Sequence, residues 1–178
     1  MAQTRLNLKK IVALIVDRDP FARGLISQML RGFGVTRILT ADNGSDAKTL
    51  LGAQCPDVCF MEGGLPDMGA DELIIWVRRN ANKALRFLPI IVLSGYTQLR
   101  MISVARDAGA HLVVRKPLSP QTLFDRLGWV AMFDRAFLET PGYVGPDRRF
   151  HTIEPPDGNL KRAADKDQAP PPALQAQS

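Results

Sequence analysis

The sequence predicts an α/β fold in which five parallel strands alternate with five helices, a doubly wound sheet covered on both faces. Three observations carry this. The strand candidates, IVALIV (Ile11 to Val16) and PIIVLS (Pro89 to Ser94) above all, are continuous apolar runs, as strands buried on both faces must be. Between them lie segments with apolar residues at helical spacing. Two of the helix starts also share one device, an oxygen-bearing cap followed by proline: Asp19-Pro20 and Ser119-Pro120.

Taken in order, Ile11 to Val16 is the first strand. The helix after Asp19-Pro20 repeats Phe21, Leu25, Met29 and Leu30 on one face, and Gly32 and Gly34 end it. Arg37 to Ala41 is a short strand and Ser45 to Leu51 a helix. Pro56-Asp57 stops that helix before the buried strand Val58 to Met61, and Gly63-Gly64 with Leu65-Pro66 turns the chain after it. Asp71 to Asn80 is a helix with Leu73, Ile74 and Val77 inward. Pro89 to Ser94 is the fourth strand, Leu99 to Ala108 a helix closed by Gly109, and Leu112 to Arg115 the fifth strand. The last helix follows Ser119-Pro120 and carries Leu123, Leu127 and Val130.

The chain has 178 residues, 46% of them hydrophobic, enough for one domain with a core and something left over. No apolar run approaches the ~20 residues of a membrane span. MAQTRLNLKK is followed by too short an apolar run, ending at Asp17, for a secretory signal. Cys55 and Cys59, four apart at the start of one strand, share neither a disulfide nor a metal, as suits a reduced cytoplasm. His111 and His151 have no Cys or His nearby at metal spacing. The net charge of +5 and pI near 9.6 suit an anionic partner, or scattered solvated side chains equally well. The basic stretch Val77 to Arg86 lacks an aromatic and reads as a solvated face, so no DNA binding is expected. Beyond about Thr140 the chain turns polar and proline-rich. The expected division is a domain over 1–138 and a mostly disordered tail over 139–178.

In doubly wound folds ligands gather at the carboxyl ends of the strands. Here those ends carry Asp17, Arg18 and Asp19, then Glu62, Ser94 and Lys116. Each alone has a plain explanation: Asp19 as a helix cap, Ser94 as a turn residue, Lys116 as a surface lysine. Together they are a cluster of acid, hydroxyl and ammonium at equivalent positions. Glu62 at the mouth of a buried strand is costly unless something there uses it.

These residues bring the chain close to a known family. VDRDP after the first strand, PDVCFMEGGLPDMGADEL around the third, PIIVLSGY at the fourth and GAHLVVRKPLSP at the fifth resemble the receiver domain of bacterial response regulators, over roughly residues 9 to 130. The resemblance implies a flavodoxin-like sheet of order 2-1-3-4-5. It also implies a phosphoryl group carried by an aspartate at the end of the third strand. A divalent metal would be held there by that aspartate, by acids after the first strand and by a backbone carbonyl, while a Ser/Thr and a Lys contact the phosphate.

Matched by position, the chain departs where that chemistry happens. Glu62 stands at the phosphoacceptor position. Asp17 matches the first acid, Arg18 replaces the second, and Asp19 follows. Ser94 and Lys116 match the switch hydroxyl and the lysine. Val113 stands at the aromatic switch position, and Gly69-Ala70 replaces the usual Asp-Gly. Glutamate is one methylene longer than aspartate, and a nucleophile misplaced by about an ångström can lose on the order of 10²-fold. Arg18 adds positive charge where a cation should bind and offers no oxygen ligand. The expectation is a stand-alone pseudo-receiver, not an enzyme, with no cofactor and no bound magnesium. Glu62 would pair with Lys116 or Arg18 and mimic a phosphorylated state or hold the pocket closed; the alternative is a decayed residue without meaning. The partner would be a histidine kinase, a phosphotransfer protein or a motor or effector component. It would meet the face of the fourth predicted helix, fifth strand and fifth predicted helix that such domains use.

The tail offers a rival. In YVGPDRRF, Arg148 and Arg149 could grip guanine or phosphate, Tyr143 could stack on a base and Asp147 could read the guanine N–H edge. Those are the needs of cyclic di-GMP, and the motif resembles the arginine-rich tails of certain receiver-like proteins that bind it. The plainer alternative is a basic patch docked on the domain or a partner.

Overall fold

The computed structural model describes residues 8–95, 99–132 and 136–147, with backbone alone at 99 and 100. Strand β1 (Val12–Val16) leads to α1 (Pro20–Gly32), β2 (Arg37–Ala41), α2 (Gly44–Gln54), β3 (Val58–Glu62) and α3 (Ala70–Arg78). A short α4 (Lys83–Arg86) precedes β4 (Ile90–Ser94), α5 (Leu99–Ala108), β5 (Leu112–Arg115) and α6 (Pro120–Met132). All five strands are parallel, in the order β2-β1-β3-β4-β5. This is the doubly wound sheet the alternating pattern predicts.

The continuous apolar strands separate two cores. Leu14, Val16, Cys59, Met61, Ile90 and Val92 face α2, α3 and α5, while Ala13, Ile15, Phe60, Ile91, Leu93 and Val114 face α1 and α6. Leu73, Ile74 and Val77 are fully buried on α3, and Leu123 and Leu127 on α6, as their spacing predicts. Helix α1 differs. Its buried residues are Ile26 and Leu30, while Phe21 is 76% and Leu25 40% exposed. The expected face holds at Leu30 and, in part, Met29, but Phe21 and Leu25 point outward and Ile26 takes the inward place beside Leu30. Cys59 is buried and Cys55 exposed, both reduced, and burial pushes the Cys59 thiol up to about 12.

Two regions depart from expectation. The basic stretch Val77 to Arg86 is not a solvated face throughout. Arg78 is 2% exposed and spends all five of its donors internally: Nε and Nη2 on the Gly109 carbonyl, Nη1 on those of Arg86 and Leu88, and Nη2 also on His111. Burial holds its pKa down, to about 10, which leaves it charged at neutral pH.

The second departure is an antiparallel hairpin, β6 (Phe137–Thr140) and β7 (Tyr143–Pro146). The expected boundary between 138 and 139 falls inside it and is corrected: the compact unit runs over Met1–Arg148, and Arg149–Ser178 lies outside the described residues. The hairpin docks at the amino ends of β4 and β5. Phe137 packs edge-on against Phe87 at 4.8 Å and lies 5.2 Å below the Arg78 guanidinium, and Arg86 pairs with Glu139 at 3.1 Å. Gly109 and Gly145 meet back to back. A Cβ on Gly109, whose φ is +107°, would stand 2.6 Å from the Val144 carbonyl oxygen, and one on Gly145 would stand 2.8 Å from the Gly109 Cα. Among the described residues no helix is long and apolar enough to cross a membrane.

Candidate functional site

The carboxyl ends of β1, β3, β4 and β5 bring Asp17, Glu62, Ser94 and Lys116 to one edge of the sheet. Asp17 follows β1 directly and is 1% exposed. Its backbone N donates to the Ala41 carbonyl, its Oδ1 accepts from Asp19 N at 2.9 Å, and its carbonyl accepts from Arg23 Nη1 at 2.5 Å. The Lys116 ammonium donates to Asp17 Oδ2 at 2.5 Å, across 99 residues of sequence. This bond is the centre of the pocket.

Glu62 ends β3, with its side chain 18% exposed. Its Oε1 lies 3.8 Å from Lys116 Nζ, and its Oε2 lies 3.7 Å from Arg18 Nε and accepts from the Arg18 backbone N at 3.3 Å. Both expected pairings are therefore present, but the close bond to Lys116 belongs to Asp17. Burial holds the Glu62 carboxyl above the ordinary carboxylate range, and the Asp17 charge adds to this. Lys116, the Arg18 N–H and the Arg18 guanidinium pull the other way without cancelling it.

That direction fixes a sign. A carboxyl whose folded pKa is raised costs stability when ionised and returns it as pH falls through the raised value. Glu62→Gln is therefore expected to melt no lower than wild type at pH 7.5, with any gain shrinking as pH falls toward the ordinary carboxylate range. Thermal melts across pH 4.5 to 8 check this. A clear loss confined to neutral pH would mean that the ion pairs outweigh the burial.

The other candidate residues fall into place individually. Asp19 is the N-cap of α1, accepting from Phe21 N at 2.9 Å. Ser94 is buried at the end of β4, facing Gly63. Val113 packs into the core beside α5 and borders a small cavity with Gly63, Ser94, Met101 and Ala105. Tyr143 stands apart, on the hairpin at the opposite end of the sheet. Its hydroxyl donates to the Pro146 carbonyl at 2.7 Å and its backbone pairs with Thr140, so it does not belong to a free segment. Asp147 donates its backbone N to Ala136, and Arg148 and Arg149 lie outside the described residues.

Comparison with known proteins now bears on this arrangement. Residues 13–128 match the family described as response regulator receiver domain. The chain belongs to this receiver family. The chemotaxis protein CheY of Pseudomonas aeruginosa is 30% identical over 114 residues, covering 64% of this chain and 90% of CheY. The crystal structure of CheY4 of Vibrio cholerae is 27% identical with a TM-score of 0.62, covering 67% of this chain and 98% of CheY4. The regulator of RpoS of Escherichia coli is 26% identical over 124 residues, which is 35% of that longer protein. The hairpin lies beyond the matched receiver residues.

A receiver domain implies a divalent cation beside the acceptor, and the donor set here does not fit one. Where a cation would sit, the Lys116 ammonium holds Asp17 and the Arg18 side chain stands beside Glu62. Guanidinium and ammonium supply no lone pair. Among the described residues no three His, Cys, Asp or Glu side chains group as metal ligands. Sequence reasoning missed Arg23, whose bond to the Asp17 carbonyl steadies the acid from α1; its place one turn past the Asp19 cap was the available signal.

Proposed function

We propose that this receiver domain signals without being phosphorylated, as a pseudo-receiver whose pocket is closed by its own side chains and whose output is protein–protein interaction. The observation that carries this is the Lys116 ammonium, 2.5 Å from Asp17 and 3.8 Å from Glu62, with the Arg18 guanidinium 3.7 Å from the other Glu62 oxygen. The chain's own cations thus supply positive charge to the pocket's carboxylates, the part a divalent metal takes in an active receiver. Phosphoryl transfer depends on positioning and on neutralisation by metal, and neither is provided for.

Glu62 is better explained as retained than as decayed. Its carboxyl is held above the ordinary range mainly by burial. A carboxyl shifted by burial and by named charged partners in a strand-end pocket is a functional-site candidate. Receiver domains work with histidine kinases and other signalling proteins, and a partner of that kind would meet the face formed by α5, β5 and α6. With the extra short helix counted, this is the face of the fourth and fifth predicted helices.

Magnesium calorimetry tests the pocket. The wild-type chain is expected to give no binding heat at millimolar magnesium, whereas Arg18→Asp combined with Glu62→Asp should gain a site. Millimolar or tighter binding by the wild type would sink the proposal.

A further inference from the structure

His111 stands at the head of β5, at the end of the sheet remote from Glu62. Its Nδ1 lies 3.2 Å from the backbone N of Ile90 and 3.3 Å from Arg78 Nη2. Both groups can only donate, so Nδ1 must accept. The ring is therefore neutral, with its proton on Nε2. A second proton could go only to Nδ1. It would break both bonds and set an imidazolium against the buried Arg78 guanidinium.

The same pair of side chains is the platform for the hairpin. The Phe137 ring lies 5.7 Å from the His111 ring and 5.2 Å from the Arg78 guanidinium. Two strands of four residues each do not hold together alone in water, so the hairpin depends on this seat together with Phe87, the Arg86–Glu139 pair and the Gly109–Gly145 contact. Arg78 from α3 bonds His111, and Arg106 from α5 and Tyr143 from β7 line the same cavity as its ring. The acids on the elements packed there are engaged, Asp107 with Arg106 and Glu139 with Arg86. The two arginines oppose an imidazolium.

We propose that His111 is an acid-released latch for the C-terminal hairpin: neutral, it joins Arg78 to β4 and seats Phe137; protonated, it lets the hairpin go. The sign follows from the bonds. The docked state needs the neutral ring, so docking is complete at higher pH and is lost as pH falls through the titration of His111. Release would also open the groove of about 180 Å³ that β7 forms with α5 and β5, lined by Ile102, Arg106, His111, Val113, Tyr143 and Pro146.

The test is NMR on the full ¹⁵N-labelled chain between pH 8 and pH 5. The chain has two histidines, and His151→Gln separates their ring signals. At pH 8 the His111 Nδ1 is expected to show the shift of an unprotonated acceptor. As the ring titrates, the Val144 and Gly145 amides should move with it, and their exchange protection, corrected for intrinsic rates, should fall by at least about tenfold. His111→Asn places an oxygen near the Nδ1 position and cannot titrate, so its hairpin protection should change by less than about twofold over the same range. A protonated Nδ1 at pH 8, hairpin amides indifferent to the His111 titration, or an equal loss in His111→Asn would each overturn the latch. If His111→Asn does not fold, the wild-type tautomer and the shared titration still decide the matter.

Discussion

Arg78→Ala is expected to cost the domain about 3 kcal/mol or more. The side chain is 2% exposed, and its removal leaves the carbonyls of Gly109, Arg86 and Leu88 without their donor. Each buried acceptor left unsatisfied costs about 1–3 kcal/mol. The change also removes the cation over the Phe137 ring. Arg78→Lys keeps the charge but offers three donors from one nitrogen in place of a planar fork, so it should recover less than half of the loss. Denaturant midpoints at unchanged m-value measure both. A cost below about 1 kcal/mol, the scale of a surface substitution, would return Arg78 to the solvated face that its sequence context suggests.

Lys116→Met should be nearly as damaging, about 3 kcal/mol, for a different reason. Asp17 is 1% exposed and its closest cationic partner is the Lys116 ammonium. Breaking a buried pair costs roughly 3–5 kcal/mol because the surviving charge is stranded. The lower end applies, since the lysine is itself 24% exposed. In an Asp17→Asn background the buried Asp17 charge is gone and Glu62 keeps Arg18 at 3.7 Å, so the same lysine substitution should cost less than half as much. Equal costs in both backgrounds would show that Lys116 acts through packing and that the pocket is not held by this pair.

Most of the fold was legible, because a sheet covered on both faces leaves continuous β-branched runs and because caps and glycines mark the helix ends. α5 begins at Leu99 and ends at Ala108 before a left-handed Gly109, as its sequence predicts. The face of α1 was legible only at its end, at Met29 and Leu30; nearer its start Phe21 and Leu25 compete with Ile26, and only the neighbouring sheet decides between them. The members of the pocket were legible from their strand-end positions. Which acid takes the lysine was not, because the side-chain reach of Asp17 and Glu62 toward Lys116 differs by little more than an ångström. Arg78 and the hairpin were hidden for a related reason. A buried arginine whose partners are mostly backbone carbonyls leaves no mark in the sequence, and the strands of the hairpin are only four residues each, the second ending in glycine and proline.

The pseudo-receiver assignment is tested most directly by intact mass spectrometry after incubation with acetyl phosphate and magnesium. The wild-type chain is expected to show no added phosphoryl group, while Arg18→Asp combined with Glu62→Asp, which rebuilds both an acceptor and a ligand, should show one that requires the metal. A metal-dependent phosphoryl adduct on the wild-type chain, lost in Glu62→Gln, would contradict the account at its centre.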